Sequence, residues 1–434
     1  MECAADDAEL FELEVGAIAG GGGCAARAPD GRVTFVRHSL PGELVVARVT
    51  STTTSFIRAD AVTILRPSPA RVAPPCPHAG PGRCGGCDYQ HVSLDTQRLL
   101  KASRVAEQLQ RVAGIQRDVE VEPVAGDVAG LGWRTRVRLG VGPSGSVGFR
   151  RHRSHELEYV ESCPIACPAI EGTGALGARW PGVEELEVIV APDSGESLVS
   201  VEMGRRAPKD RTPKGRKNPD LPEVAARVVV DGRALQRSGA VYTKVAGVPF
   251  RVSAGVFWQV HVGAADALAR AVRAALAAAP GDCVVDLYAG AGLFSVLVAG
   301  DVGPHGSVLA VERERRACAD AEHNGRACPQ LTVKRASVTP NLIERGIGAP
   351  DLVVLDPARE GAGRGVMAAL NGHSATVRRL VYVSCDPSSF SRDIRVLLAA
   401  DWRLTSLRAF DIFPMTEHVE LVGTLEPGPR QFPR

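Results

Sequence analysis

The chain has 434 residues, is 45% apolar and carries a formal charge of +2 at neutral pH. That length exceeds one ordinary core and sets an expectation of about two to four domains, while the near-neutral balance excludes a global field for a polyanion, so any such partner must be met by local basic patches. No run of about eighteen apolar residues occurs, and the start "MECAADDAELFELEV" is acidic where a secretory signal is basic and then apolar. Both observations point to a cytoplasmic protein with no membrane association, and nothing suggests an obligate protein partner. The 11 cysteines, mostly far apart, argue for reduced thiols rather than a disulfide framework.

Residues 10–66 carry short apolar runs broken by "GGGG" and Pro-Gly, the rhythm of a small all-β barrel. Segment 67–92 is rich in Pro, Gly and Cys, a loop that something must hold. Cys84 and Cys87 form Cys-x-x-Cys, Cys76 precedes them and Cys163 stands far downstream; by spacing alone this set suits a tetrahedral zinc site. Apolar residues at Leu99, Ala102, Val105, Leu109 and Val112 predict a helix from Asp95 to Ala113, with Ser93 or Asp95 as N-cap and Gly114 as its stop. Residues 131–202 alternate like strands again. Arg134, Arg136 and Arg138 would share one strand face, which suits either a phosphate track or a solvated polar face. The basic, Pro-rich stretch 204–222 reads as a solvated loop or an RNA-contacting one.

Beyond residue 263 the pattern becomes alternation of helix and strand. An Ala-rich helix ending at Pro280-Gly281 precedes strands at 283–288, 307–312, 331–334, 351–356 and 379–385, which implies an open α/β sheet with helices on both faces. Gly290 and Gly292 directly follow the first of these strands, where a ligand can approach the backbone. Ser295 replaces the third glycine of the dinucleotide fingerprint, which disfavours NAD. Glu312 ends the next strand at a place suited to ribose hydroxyls. Asp356 precedes a proline that restricts it to an extended conformation. Cys385 ends a strand in "VYVSCDPSSFSR", the edge where open sheets bind ligands, so it is either a nucleophile or a small buried hydrophobe.

Glu312 with Asp286 and Tyr288 resembles the S-adenosylmethionine pocket of class I methyltransferases. Taken in order, "FWQVH", "DLYAGAGLF", "DPAREGAG", "YVSCDP" and "DIFPMTEHVE" resemble the RNA uridine-C5 methyltransferases. The barrel resembles their RNA-binding TRAM module, and "CPHAGPGRCGGCDYQH" resembles the iron-sulfur segment of the rRNA-methylating branch. The resemblance implies three parts: a barrel over 1–66, an iron-sulfur and β-rich RNA-binding region over 67–250, and a Rossmann-like catalytic domain over 251–434. It implies a Cys385 nucleophile that adds to uracil C6 and a Glu420 base that removes the C5 proton. It places Gln259, Tyr288, Gly290, Gly292, Glu312 and Asp356 at S-adenosylmethionine, and Phe257, Gln259 and Asp356 at the flipped uracil. It shifts the metal reading from zinc to a [4Fe–4S] cluster on Cys76, Cys84, Cys87 and Cys163, and it favours rRNA over tRNA as partner. Asp386, His261 and Ala289 depart from the family pattern, and Asp386 places a negative charge beside the thiol. A methyltransferase of another substrate and an RNA-binding module without activity compete with this reading, and the intact nucleophile and base argue against both.

Overall fold

The structure, a computed structural model, describes residues 9–204, 221–235 and 238–429. Most of the basic stretch 204–222 therefore lies outside the described residues. Strands β1 (Leu10–Glu14), β2 (Cys24–Arg27), β3 (Val33–Arg37), β4 (Leu44–Thr52) and β5 (Phe56–Arg66) form one sheet in the order β1-β4-β5-β3-β2. The long β4–β5 pair shifts register three times, and such bulges curl a sheet toward a half-barrel. Leu13, Val36, Val45, Ala47 and Ala59 fill its interior, and Tyr89, Val92 and Leu100 from the following segment close it.

Helix α1 (Leu94–Gln108) runs on as a π turn to Ala113 and stops at Gly114, whose φ of 72° only glycine adopts cheaply. Lys101 on α1 is fully buried and donates to Asp411 Oδ1 at 2.6 Å and to the Phe413 carbonyl at 3.0 Å. Lys101→Ala strands the Asp411 carboxylate in the interior, and we expect chemical denaturation to show a loss of about 3–5 kcal/mol. The same helix packs its Val105 and Leu109 into the core beneath the large sheet.

β6 (Val121–Pro123) crosses to the C-terminal half, where it pairs in parallel with a late strand. The central sheet holds β7 (Arg136–Val141), β8 (Val147–Arg150), β9 (Leu157–Tyr159), then, after the short helix α2 (Pro168–Gly172), β10 (Val183–Ala191), β11 (Glu196–Met203), β12 (Arg227–Val230) and β13 (Arg233–Ala234). Its order is β13-β12-β11-β10-β7-β8-β9. An arginine track on one strand face is not what forms here. Arg136 is buried, donating to the Val256 carbonyl at 2.6 Å and to Glu187 at 3.4 Å, whereas Arg138 stays exposed beside Glu185. A guanidinium buried at 7% exposure against protein acceptors is not presented to a phosphate on the surface.

A hairpin, β14 (Ala240–Val245) and β15 (Val248–Ser253), leads into α3 (Ala264–Leu276), β16 (Cys283–Leu287), α4 (Leu293–Val302), β17 (Ser307–Glu312), α5 (Arg315–Asn324), β18 (Leu331–Arg335), α6 (Pro340–Gly346), β19 (Leu352–Leu355), α7 (Arg364–Asn371), β20 (Arg379–Ser384), α8 (Pro387–Leu398), β21 (Trp402–Asp411) and β22 (Glu420–Pro427). α3 ends at Ala277, in left-handed conformation, several residues before the predicted Pro-Gly stop. The large sheet runs β18-β17-β16-β19-β20-β22-β21-β6, with the first five strands parallel. β22 lies antiparallel to both neighbours. Strand order reverses between β16 and β19, and the crevice at such a reversal is where an open α/β sheet takes its ligand. Helices α3 and α4 cover one face of the sheet, and α7 and α8 the other, so β19 is buried along its whole length. No helix among the described residues is long and apolar enough to cross a membrane.

Candidate active site

The turn after β16 is built from left-handed residues: φ is 65° at Tyr288, 54° at Gly290 and 85° at Gly292. Tyr288 is no glycine, and holding it there costs about 1–3 kcal/mol of strain, a cost that clusters at ligand sites. Gly290 N–H donates to Glu312 Oε2 at 3.0 Å, while Glu312 Oε1 accepts from the Arg313 and Glu314 amides at 2.7 Å each. Backbone donors thus hold the Glu312 carboxylate at the crevice, and Oε2 retains a lone pair for a hydroxyl. Asp286, 1% exposed, accepts at Oδ2 from the Ser295 N–H at 3.0 Å and from the Ser295 hydroxyl. The serine that breaks the dinucleotide fingerprint therefore serves this acid. Asp286 Oδ1 has no hydrogen-bond partner among the described residues, and burial pushes the carboxyl up to about 7. A buried acceptor left open is a place for a ligand's N–H or ammonium group.

Asp356 follows β19, and its amide donates to the Leu287 carbonyl at 3.2 Å. It keeps some exposed surface yet is enclosed by protein, and burial with the nearby Asp286 charge moves it up to about 7. Across the β20–β22 ladder Ser384 pairs with Leu421, so the next step outward sets Cys385 beside Glu420. Glu420 is 4% exposed, and burial followed by the charge of Asp356 holds its carboxyl well above the ordinary range. Burial, then Glu420 and Asp356, push the Cys385 thiol up to about 12; Asp386 adds to this and Arg359 opposes it. Glu312, Asp286, Asp356, Glu420 and Cys385 thus form a continuous row of interacting groups along the carboxyl edge of the sheet.

Asp386 also caps α8, accepting the Ser389 amide at 2.7 Å, and its Oδ2 lies 4.0 Å from Arg359 Nε. Its charge therefore has both a structural use and a neighbouring counter-charge. Phe257 is 67% exposed, whereas Trp258 packs on Phe250 with ring centroids 5.4 Å apart. Gln259 is buried along a cavity of about 230 Å³ that Thr135, Arg136, Trp258 and Asp266 also line. None of the described hydrogen bonds joins Gln259 to the Cys385 group. His261 accepts the Gly263 amide at Nδ1 (3.0 Å) and stacks on Trp133 at 5.7 Å, so this departure from the family pattern is a packing residue.

Cys76, Cys84, Cys87 and Cys163 come together from two distant segments. Cys84 lies in the field of Cys163 and Cys76, Cys87 in that of Cys163 and Cys84, and Cys163 in that of Cys76. Burial pushes Cys84 up to about 11 and Cys87 up to about 12, and Gln90 Nε2 donates to Cys87 Sγ at 3.4 Å. The buried Cys167 has no thiol among the groups acting on it. Among the described residues no group of three or more His, Cys, Asp or Glu is arranged to hold a metal ion.

Three residues at this edge were not read from the sequence: Arg359, Glu417 and His418. Arg359 Nη2 lies 3.4 Å from His418 Nδ1 and 3.9 Å from Glu417 Oε1. Their positions inside "DPAREGAG" and "TEHVE" were the available signal.

Strand order, the reversal at β16 and β19 and the acid row define a class I S-adenosylmethionine-dependent methyltransferase fold. No family model matches the chain. It is 44% identical to an uncharacterized RNA methyltransferase of Streptomyces coelicolor, over 97% of this chain and 93% of that one. It is 30% identical to the 23S rRNA (uracil(1939)-C(5))-methyltransferase RlmD of Psychrobacter arcticus, over 91% of this chain and 84% of that one. Among solved structures, the tRNA (uracil-54, C5)-methyltransferase of Pyrococcus abyssi in complex with S-adenosyl-L-homocysteine shares the fold: TM-score 0.70, 22% identity, 95% of this chain and 99% of that one. The chain belongs to the RNA uracil-C5 methyltransferase family, whose members take their methyl group from S-adenosylmethionine.

Proposed function

We propose that the protein methylates C5 of a uracil in RNA, rRNA rather than tRNA, through a covalent adduct on Cys385, with Glu420 as base. The observation that carries this is the Cys385–Glu420 juxtaposition across β20 and β22, at the crevice beside Asp356. Uracil C5 is a weak nucleophile until a thiolate adds to C6. The thiol loses its proton to water, the S–C6 bond forms, and the ring electrons move toward the C4 oxygen, leaving density at C5. S-adenosylmethionine supplies an electrophilic methyl group, which C5 takes. Glu420 then accepts the C5 proton, the C5–C6 double bond returns and the S–C6 bond breaks, releasing Cys385 as thiolate. A carboxyl held above its usual range is a stronger base once ionised, which suits that task.

Tyr288, Gly290, Gly292 and Glu312 would hold the methyl donor, with the open Asp286 Oδ1 fitted to its ammonium group. Phe257, Gln259 and Asp356 would receive the base, the exposed Phe257 ring by stacking. The rRNA preference rests on the Psychrobacter relative, a 23S rRNA enzyme, since the archaeal tRNA enzyme supports the fold alone. Residues 1–66 would serve as an RNA-contacting barrel, 67–250 as the cysteine-bearing RNA-binding region and 251–434 as the catalytic domain of a cytoplasmic enzyme. The test is nucleoside mass spectrometry of unmethylated total RNA incubated with the protein and S-adenosylmethionine. 5-Methyluridine in the rRNA fraction supports the reading, and its absence there sinks it.

We further propose a [4Fe–4S] cluster on Cys76, Cys84, Cys87 and Cys163. What supports it is the mutual electrostatic influence of the four buried thiols and the Gln90 side-chain amide on Cys87 Sγ, a donor set of the kind such a cluster takes. Zinc, whose Zn–S bonds of about 2.3 Å would draw all four sulfurs to a point, is the competing occupant of this set. Protein purified without oxygen should carry iron and sulfide, and Cys84→Ala should abolish both and lower the melting temperature; stoichiometric zinc without sulfide would refute the cluster.

A further inference from the structure

The segment between β21 and β22 ends on Glu420 and is held from outside the catalytic half. The Met415 carbonyl accepts the Asp88 and Tyr89 amides at 3.0 and 2.9 Å, and the Met415 amide donates to Gln97 Oε1 at 2.8 Å. Met415 itself sits at a φ of 67°, a conformation that an unbranched non-glycine side chain keeps only when its surroundings impose it. Two residues later Glu417, 8% exposed, gathers four segments on one carboxylate and its amide. Oε2 accepts the Gly21 N–H of the barrel at 2.8 Å and Arg104 Nη1 of α1 at 2.5 Å. The Glu417 amide donates to Asp88 Oδ2 at 3.4 Å, and Asp88 in turn pairs with Arg37 of the barrel at 3.3 Å. Oε1 faces Arg359, which acts on Cys385.

Resting on the reaction proposed above, we infer that Glu417 is a positioning residue: it ties the barrel, the cysteine loop and α1 to the strand that carries the base, and it sets where Arg359 stands beside the nucleophile. The reason is geometric. Glu420 opens β22, so its carboxylate is aimed by the three residues before it, and Glu417 is where those residues are anchored. A base displaced by about 1 Å loses on the order of a hundredfold in rate. Elimination, the step that needs the base, suffers more than addition, which does not.

Glu417→Gln keeps an acceptor for Gly21 and removes the charge that holds Arg104 and Arg359. Arg104→Met removes the helix's share of the clamp and leaves Glu417 in place. With unmethylated rRNA and S-adenosylmethionine, each variant should show kcat lowered about ten- to a hundredfold and KM for RNA changed less than about threefold. Each should also accumulate protein–RNA adduct on denaturing gels, with S-adenosylmethionine affinity as in the unaltered protein. Glu417→Asp should restore part of kcat, and the double variant Glu417→Gln/Arg104→Met should lose less than the sum of the two single losses. A lower melting temperature with kcat unchanged in both variants would mean that the clamp only stabilises the fold. A raised KM with kcat unchanged would mean that Glu417 serves RNA contact, and either result overturns the inference. The unaltered protein run in parallel separates the two readings: if it forms no 5-methyluridine the reaction itself is wrong and the clamp falls with it, whereas normal activity in both protein and variants removes the clamp alone.

Discussion

Cys385→Ala should abolish 5-methyluridine formation, by at least about a thousandfold, while S-adenosylmethionine binds as before. The thiol is half-buried at the end of β20, whereas Tyr288, Gly290 and Glu312, proposed above to hold the donor, belong to the ends of β16 and β17 on the far side of β19. Removing one sulfur atom there leaves the donor pocket untouched. In the ligand-free protein the thiol lies far above neutral, because burial and the Glu420 and Asp356 charges all oppose the thiolate. Activity should therefore rise with pH across the neutral range. Isothermal titration with S-adenosylmethionine and mass spectrometry of the RNA nucleosides check the two halves together. Retained methylation in the alanine variant would remove the covalent mechanism.

Glu420→Gln should stall the enzyme after methyl transfer and lower turnover by about 10²–10⁴-fold. The amide keeps the side chain's shape but cannot accept the C5 proton. It also withdraws a charge that raises the Cys385 pKa, so addition to the ring should proceed at least as well as before. The expected result is a denaturant-resistant protein–RNA complex carrying the new methyl group. The pH profile adds a second check. Glu420 must be ionised to act, and its pKa is raised, so the rate of the unaltered enzyme should climb with pH through that value; the variant should lose this limb.

Stability gives the opposite sign. Between the unfolded carboxyl value near about 4.3 and the raised folded one, the native state binds more protons than the unfolded chain, so stability falls as pH rises through that window. The neutral glutamine escapes this loss, and Glu420→Gln should melt higher than the unaltered protein at pH above the window. A variant that melts lower would show that the substitution damages the fold, and its slow turnover would then say nothing about the base.

The alternation of apolar runs with glycine and proline breaks was enough to place the five parallel strands of the large sheet within a residue or two, because a fully buried parallel strand needs a continuous apolar run; the antiparallel β21 and β22 and the short β6 were not read. The positions at their ends were equally legible: Glu312, Asp356 and Cys385 each sit where a strand meets the crevice, and strand ends are local features of the sequence, whereas Glu420 was pointed to only by the family resemblance of "DIFPMTEHVE". Two features went the other way. Arg136 reads as one of three exposed arginines, yet Glu187 and the Val256 carbonyl, distant in sequence, enclose it. The helix over 94–108 and the short β6 read as parts of the middle region, yet Lys101 anchors the one to Asp411, and β21 takes the other as its neighbour.

What the sequence determined by itself is the class of fold and the places where its parallel strands end, since these follow from period and residue type along the chain; the proposed roles of Cys385 and Glu420 came from the family resemblance. The tertiary structure decided which groups meet. The register of β22 against β20 sets Glu420 beside Cys385, burial rather than residue type raises both pKa values, and Glu417 gathers the barrel, the cysteine loop and α1. Pairings between residues hundreds of positions apart depend on how the cores pack, and no local pattern encodes that.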